Sequence, residues 1–102
     1  MDVWIGLVEV MPLAGSTVLG GAKGAFVNAL ALASGQETYK ENVTAALRDL
    51  GLFVIDFQDL ELFPERAAHW ELREELHELA RETELSGNVT FDEFHVYERL
   101  DS

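Results

Sequence analysis

The sequence predicts an α+β fold: a single domain over residues 1–102, with a four-stranded mixed sheet and two helices in the order β-β-α-β-α-β. Three features predict it. Residues 25–57 read as strand, helix and strand (AFVNALALA, QETYKENVTAALRDL, GLFVIDF), a central βαβ unit. An apolar strand precedes that unit, and a second helical pattern with a further strand follows it. The length, 102 residues, suits one domain and is too short for two.

Val3 to Met11 (VWIGLVEVM) is the first strand, preceded by Asp2, carrying Glu9 and closed by Pro12. Side chains alternate along a strand, so Val3, Ile5 and Leu7 point one way and Trp4, Val8 and Val10 the other. Leu13 to Gly24 (LAGSTVLGGAKG) holds glycines at 15, 20, 21 and 24 and reads as a loop, longer than the usual hairpin connection. It is not a phosphate-binding loop. Gly15 and Gly20 have the required gap, but Gly21 stands where a lysine is needed, and Lys23 leads into a strand rather than a helix N-terminus. The loop is then a hairpin connection, or a segment that closes over a ligand or partner.

Ala25 to Ala33 is the second strand, with a small face (Ala25, Val27, Ala29, Ala31, Ala33) and a large one (Phe26, Asn28, Leu30, Leu32). Asn28 is its only polar residue; it needs a structural hydrogen bond or lines a pocket or interface. Ser34, three residues before Glu37, matches a capping box. Tyr39, Val43, Ala46, Leu47 and Leu50 then form one helical stripe, and Gly51 supplies a left-handed stop. Leu52 to Phe57 is the third strand, expected to run parallel to the second after a right-handed crossover.

After Phe57 the alternation slips, since Leu60 and Leu62 fall on the other face, and a bulge or a strand break near Gln58–Asp59 explains it. Phe63-Pro64 marks a boundary and suits a first helical turn. Glu65 to Leu85 is the second helical region, with the stripe Leu72, Leu76, Leu79, Ala80 and Thr83; Arg66 to Trp70 can form a separate turn, and Gly87-Asn88 ends the region. Val89 to Leu100 is the last strand, with a phase shift between Phe91 and Phe94.

Composition narrows the chemistry. With no cysteine, disulfides, zinc thiolates and thiol nucleophiles are excluded. The net charge is −12, and residues 36–102 hold seventeen acids against six basic residues, so the acidity belongs to the C-terminal part. Such a surface repels phosphate backbones and anionic lipid, which argues against nucleic acid and membrane as partners. No basic leader precedes an apolar run, and no uncharged apolar run reaches the roughly 18 to 20 residues of a membrane span. The expected location is cytoplasmic.

No catalytic constellation is present in the pattern. Ser16, Ser34, Ser86 and Ser102 lie in no nucleophile-elbow motif. Glu74 and His77 could share an ion on one helix face, but a carboxylate-bridged centre needs such a pair on each of two helices and further glutamates. No metal and no cofactor are expected. The candidate ligand- or partner-binding residues are Trp4, Lys23, Asn28, Trp70, His95 and Tyr97. Lys23 is the cation of the glycine loop, and His95 and Tyr97 share one side of the last strand. Trp70 reads first as a packing residue and second as a binding platform.

The strands are apolar on both faces, whereas a sheet open to water on one side alternates. If both helices lie on one side, the bare face needs a partner, most simply a symmetric copy; on opposite sides they cover the sheet themselves. The expectation is therefore self-association or a protein partner, a basic one in one version. The protein reads as a non-catalytic protein-binding or homo-oligomeric module, regulatory or of the immunity type against a basic toxin. The alternative is a small ligand-binding domain or enzyme whose glycine-rich loop lies over a pocket near Asn28, Trp4 or His95.

Overall fold

A computed structural model describes residues 1–98. The elements are β1 (Asp2–Pro12), β2 (Gly24–Ala33), α1 (Gln36–Asp49), β3 (Leu52–Leu62), α2 (Phe63–His69), α3 (Glu74–Ser86), β4 (Thr90–Phe91) and β5 (His95–Tyr97). They build one five-stranded sheet in the order β3-β1-β2-β4, with β5 also paired to β2. The α+β class stands. The sheet is antiparallel throughout rather than mixed, with five strands rather than four and three helices rather than two. β2 and β3 do run in the same direction, but β1 lies between them and pairs antiparallel with both.

The helices take opposite faces. On the first face, Val8 and Val10 of β1 and all five small residues of β2 meet Tyr39, Val43 and Leu47 of α1, all buried. These three form the expected stripe; Leu50, at its end, is exposed. The small residues of β2 let α1 lie close. Gly6 does the same for one side chain, since a Cβ there would come within 2.9 Å of the Tyr39 hydroxyl. That hydroxyl donates a 2.8 Å hydrogen bond to the Ala29 carbonyl. On the second face, Val3, Ile5, Leu30 and Leu32 meet Phe63 and Ala67 of α2, Leu72, and Leu76, Leu79 and Ala80 of α3. A fully bare sheet face, the ground for expecting a symmetric copy, is therefore not what the fold leaves.

Several local expectations hold and several fail. Gly51 and Gly87 both stop helices at positive φ, 86° and 77°. The bulge is at Asp59, a non-glycine residue at φ 52°. A second bulge lies at Ile55, so both extra residues sit on β3, the outer strand. The capping box does not form. α1 begins one residue later on Gly35 with no side-chain cap, and the Ser34 hydroxyl pairs with that of Thr38 at 3.2 Å. The second helical region breaks in two: Trp70 and Arg73 take extended angles, and α2 lies over β1 and β3 whereas α3 lies over β1 and β2. The last strand also breaks, at 92–94, into β4 and β5; its final residues, 99 and 100, lie outside the described residues. Thr83 and Thr90, both buried, share a 2.7 Å hydroxyl contact that ties β4 to α3. No helix among the described residues is long and apolar enough to cross a membrane.

Candidate functional site

α2 and α3 cover only part of the second face. Along β1, Val3 and Ile5 are buried, Leu7 and Glu9 are half-buried, and Met11 is 42% exposed. Along β2 the same gradient runs from buried Leu30 to half-buried Asn28 and Phe26. The residues of the first face show no such gradient, because α1 spans the sheet there. The register fixes what the uncovered end presents. Gln58, Leu7 and Asn28 lie side by side across β3, β1 and β2, and Asp56, Glu9, Phe26 and His95 form the next row. Phe53 beside Met11, and Gly24 beside Tyr97, form the last. Phe53 is 50% exposed.

Tyr97 organises one corner of this surface. Its hydroxyl donates a 2.6 Å hydrogen bond to Glu9 Oε2 across β2, and its ring tilts against Phe26 with centroids 5.6 Å apart. Gly24 makes room for it: a Cβ there would strike the Tyr97 ring and stand 2.7 Å from the Val10 carbonyl. Burial, then the hydrogen bond to Glu9 and the Glu9 charge, push the Tyr97 phenol up from 10.0 to about 12.

Where the connector from α2 to α3 crosses the face, it walls a cleft of about 660 Å3 lined by Leu7, Asn28, Asp59, Leu60, Glu61, Arg66 and Trp70. Arg66 is held there, its Nε 2.8 Å from Glu61 and its other end on the Asp59 carbonyl. Trp70, expected first to pack, is 68% exposed on the rim. It does not reach the core because the chain turns away from helical angles at this residue.

The candidate residues from sequence divide accordingly. Asn28, Trp70, His95 and Tyr97 come together on or beside the uncovered end. Lys23 stands next to it, exposed, its amide donating to the Tyr97 carbonyl. Trp4 belongs to the other face. Its indole N–H donates to the Ala33 carbonyl at 3.2 Å and its ring packs on the α1 core, a structural role. Sequence reasoning missed Leu7, Glu9, Met11, Phe26, Phe53 and Asp56. Glu9 and Asp56 carried a usable signal, each a lone charge inside an apolar strand, the same reasoning that singled out Asn28.

The glycine loop is a run of turns. It is tied at one end by Leu13 to Gly51 and at the other by Lys23 to Tyr97, with Leu19 packed on the core and Ala22 buried. It contributes no residue to the cleft at Asn28. The helical metal candidates are otherwise engaged, Glu74 with Arg81 at 3.3 Å and His77 edge-on to Phe63. No three acidic or histidine side chains converge among the described residues. A smaller cleft of about 330 Å3 between α1 and β3 is lined in part by Lys40, whose ammonium stands 5.9 Å from the Phe57 ring centre.

Comparison with protein-family models, with curated proteins and with solved structures finds no match to this chain.

Proposed function

We propose that this protein is a non-catalytic protein-binding module, and that its contact surface is the uncovered end of the second sheet face with Trp70 at its rim. One observation carries the reading: Leu7, Met11, Phe26, Phe53 and Trp70 lie exposed or half-exposed beside one another, where the helices stop short. A cluster of large apolar side chains left to water marks an interaction surface more often than a scatter of single ones. Exposed tryptophan and tyrosine are the residues that most often anchor interfaces.

The test compares the native chain with Trp70→Ala and Phe53→Ala as immobilised baits, followed by reassembly from purified components. The reading requires one protein that the native chain retains, that both variants lose, and that re-forms a stoichiometric complex when pure. The ligand-binding alternative would displace it through a different result. A metabolite would raise the melting temperature of the native chain but not of Asn28→Ala, because a ligand that prefers the folded state stabilises it.

A further inference from the structure

We infer that the occupant of this surface is a short basic segment of another protein, arginine-bearing and part apolar, rather than a second copy of this chain. The inference rests on the protein-binding reading and deepens it. It starts from the register. Glu9 and Asp56 stand directly opposite on β1 and β3 and point to the uncovered face. Like charges placed opposite each other across strands destabilise a sheet. Among the described residues neither takes part in an ion pair, while Arg66, Arg73 and Arg81 are all engaged with acids of their own. Tyr97 holds the Glu9 carboxylate in place, and the half-buried rings of Phe26 and Tyr97, tilted against each other, lie next to it. A guanidinium suits that neighbourhood: it is planar, it stacks on aromatic faces, and it takes two carboxylate contacts at once.

Size and symmetry argue for a segment. Four strands about 4.8 Å apart and three rows of alternate residues give a platform roughly 14 Å on a side, on the order of 200 Å2. A standard interface takes about 800 Å2 from each partner. The platform therefore matches one strand or a turn or two of helix. A two-fold copy whose axis passes through the Glu9–Asp56 pair would also set these carboxylates against their own symmetry mates, since a symmetric interface uses one surface twice. The outer edge of β3 is a poor route to self-pairing as well, because both bulges interrupt it, the usual guard of an exposed edge.

The test uses the full chain and three peptides of about six residues alternating an apolar residue with arginine, glutamate or serine. The readouts are backbone amide shifts and the Trp70 indole signal. The arginine peptide is expected to move Leu7, Glu9, Phe26, Asp56 and Trp70. Its affinity should fall about tenfold between low and moderate salt and at least about fivefold in Glu9→Gln or Asp56→Asn. The glutamate peptide should move none of them. A serine peptide that binds this face as tightly as the arginine peptide overturns the basic occupant and leaves the docking face intact. Shifts confined to Glu75, Glu78 and Glu82 of α3 mean diffuse attraction and overturn it too. A dimer abolished by Phe53→Lys would assign the face to a second copy instead. Silence from all three peptides overturns the inference; if Trp70→Ala also captures what the native chain captures, the protein-binding reading falls with it.

Discussion

Glu9 has two neighbours of opposite kind, the Tyr97 hydroxyl that donates to it and Asp56, paired with it across β1 and β3, whose carboxylate accepts a 3.1 Å hydrogen bond from Gln58; like charges set opposite each other across strands repel. Relieving the repulsion should stabilise the free protein. Asp56→Asn is expected to add about 0.5 kcal/mol, a rise in melting temperature of about 3 °C for a chain of this size. The gain should shrink in high salt, where surface charges are screened. The same substitution is expected to weaken partner binding, so stability and function would move in opposite directions. The chain has two tyrosines, and both resist ionisation. Burial holds Tyr39 well above the usual phenol range, and Tyr97 titrates near 12. For a raised phenol pKa the native state keeps a proton that the unfolded chain releases. The stabilisation is therefore complete below pH 10 and lost as pH climbs toward 12 and beyond. Phenolate absorbance should be missing at pH 10 to 11 in the native protein and present in urea, with the midpoint of denaturation falling over the same range. Which charges face each other was not legible in the sequence. Glu9 and Asp56 each stood out as solitary charges, but only strand pairing sets them opposite one another.

β3 shows the interplay of pattern and constraint at the level of an element. Its slip in alternation announces the bulge, and Asp59 adopts the left-handed angle the bulge requires. Aspartate tolerates that angle because its short side chain bonds locally, whereas a β-branched residue does not. Asp59→Val is expected to cost about 1–2 kcal/mol in urea unfolding, and Asp59→Gly should retain the native midpoint. β5 depends on a single missing side chain. Gly24→Ala is expected to cost about 2 kcal/mol by overpacking and to bring the Tyr97 titration back toward 10 as the ring leaves Glu9. The extents of β1 and β2, the α1 stripe and both glycine stops could be read directly, because each is decided by neighbours within a few residues, whereas β3 runs on to Leu62 beyond the Phe57 where its alternation slips. The Ser34–Glu37 pair looked like a cap, yet the strand that enters the helix ends at Ala33 and hands the N-cap position to Gly35. The break at Trp70 was visible only as an option. What selects it is the need to carry the Leu72–Leu76–Ala80 stripe onto Val3, Ile5 and Leu30.

For the whole molecule the deciding fact is that α1 takes one face and α2 with α3 the other. An apolar sheet that would have demanded a partner over an entire face is left with one uncovered end. A particle covered in this way, with a blunted edge strand, is expected to keep the mass of a single chain in solution up to on the order of 100 μM, since the bare area falls well short of a standard interface. Sedimentation or light scattering over a dilution series checks this; a dimer at low micromolar concentration would restore the symmetric copy as the occupant.

The sequence by itself determined the α+β class, the first two strands and the start of the third, helix α1, the two glycine stops, the acidity of the C-terminal part and the want of thiol chemistry. These follow from local periodicity and composition, which act within a few residues of each position. Only the tertiary structure decided the antiparallel insertion of β1 between β2 and β3, the division of helices between two faces, and the meeting of Glu9, Asp56, Phe26 and Tyr97. Those are contacts between residues up to 88 positions apart. They are selected by how the layers close over one another, and no local pattern encodes that choice.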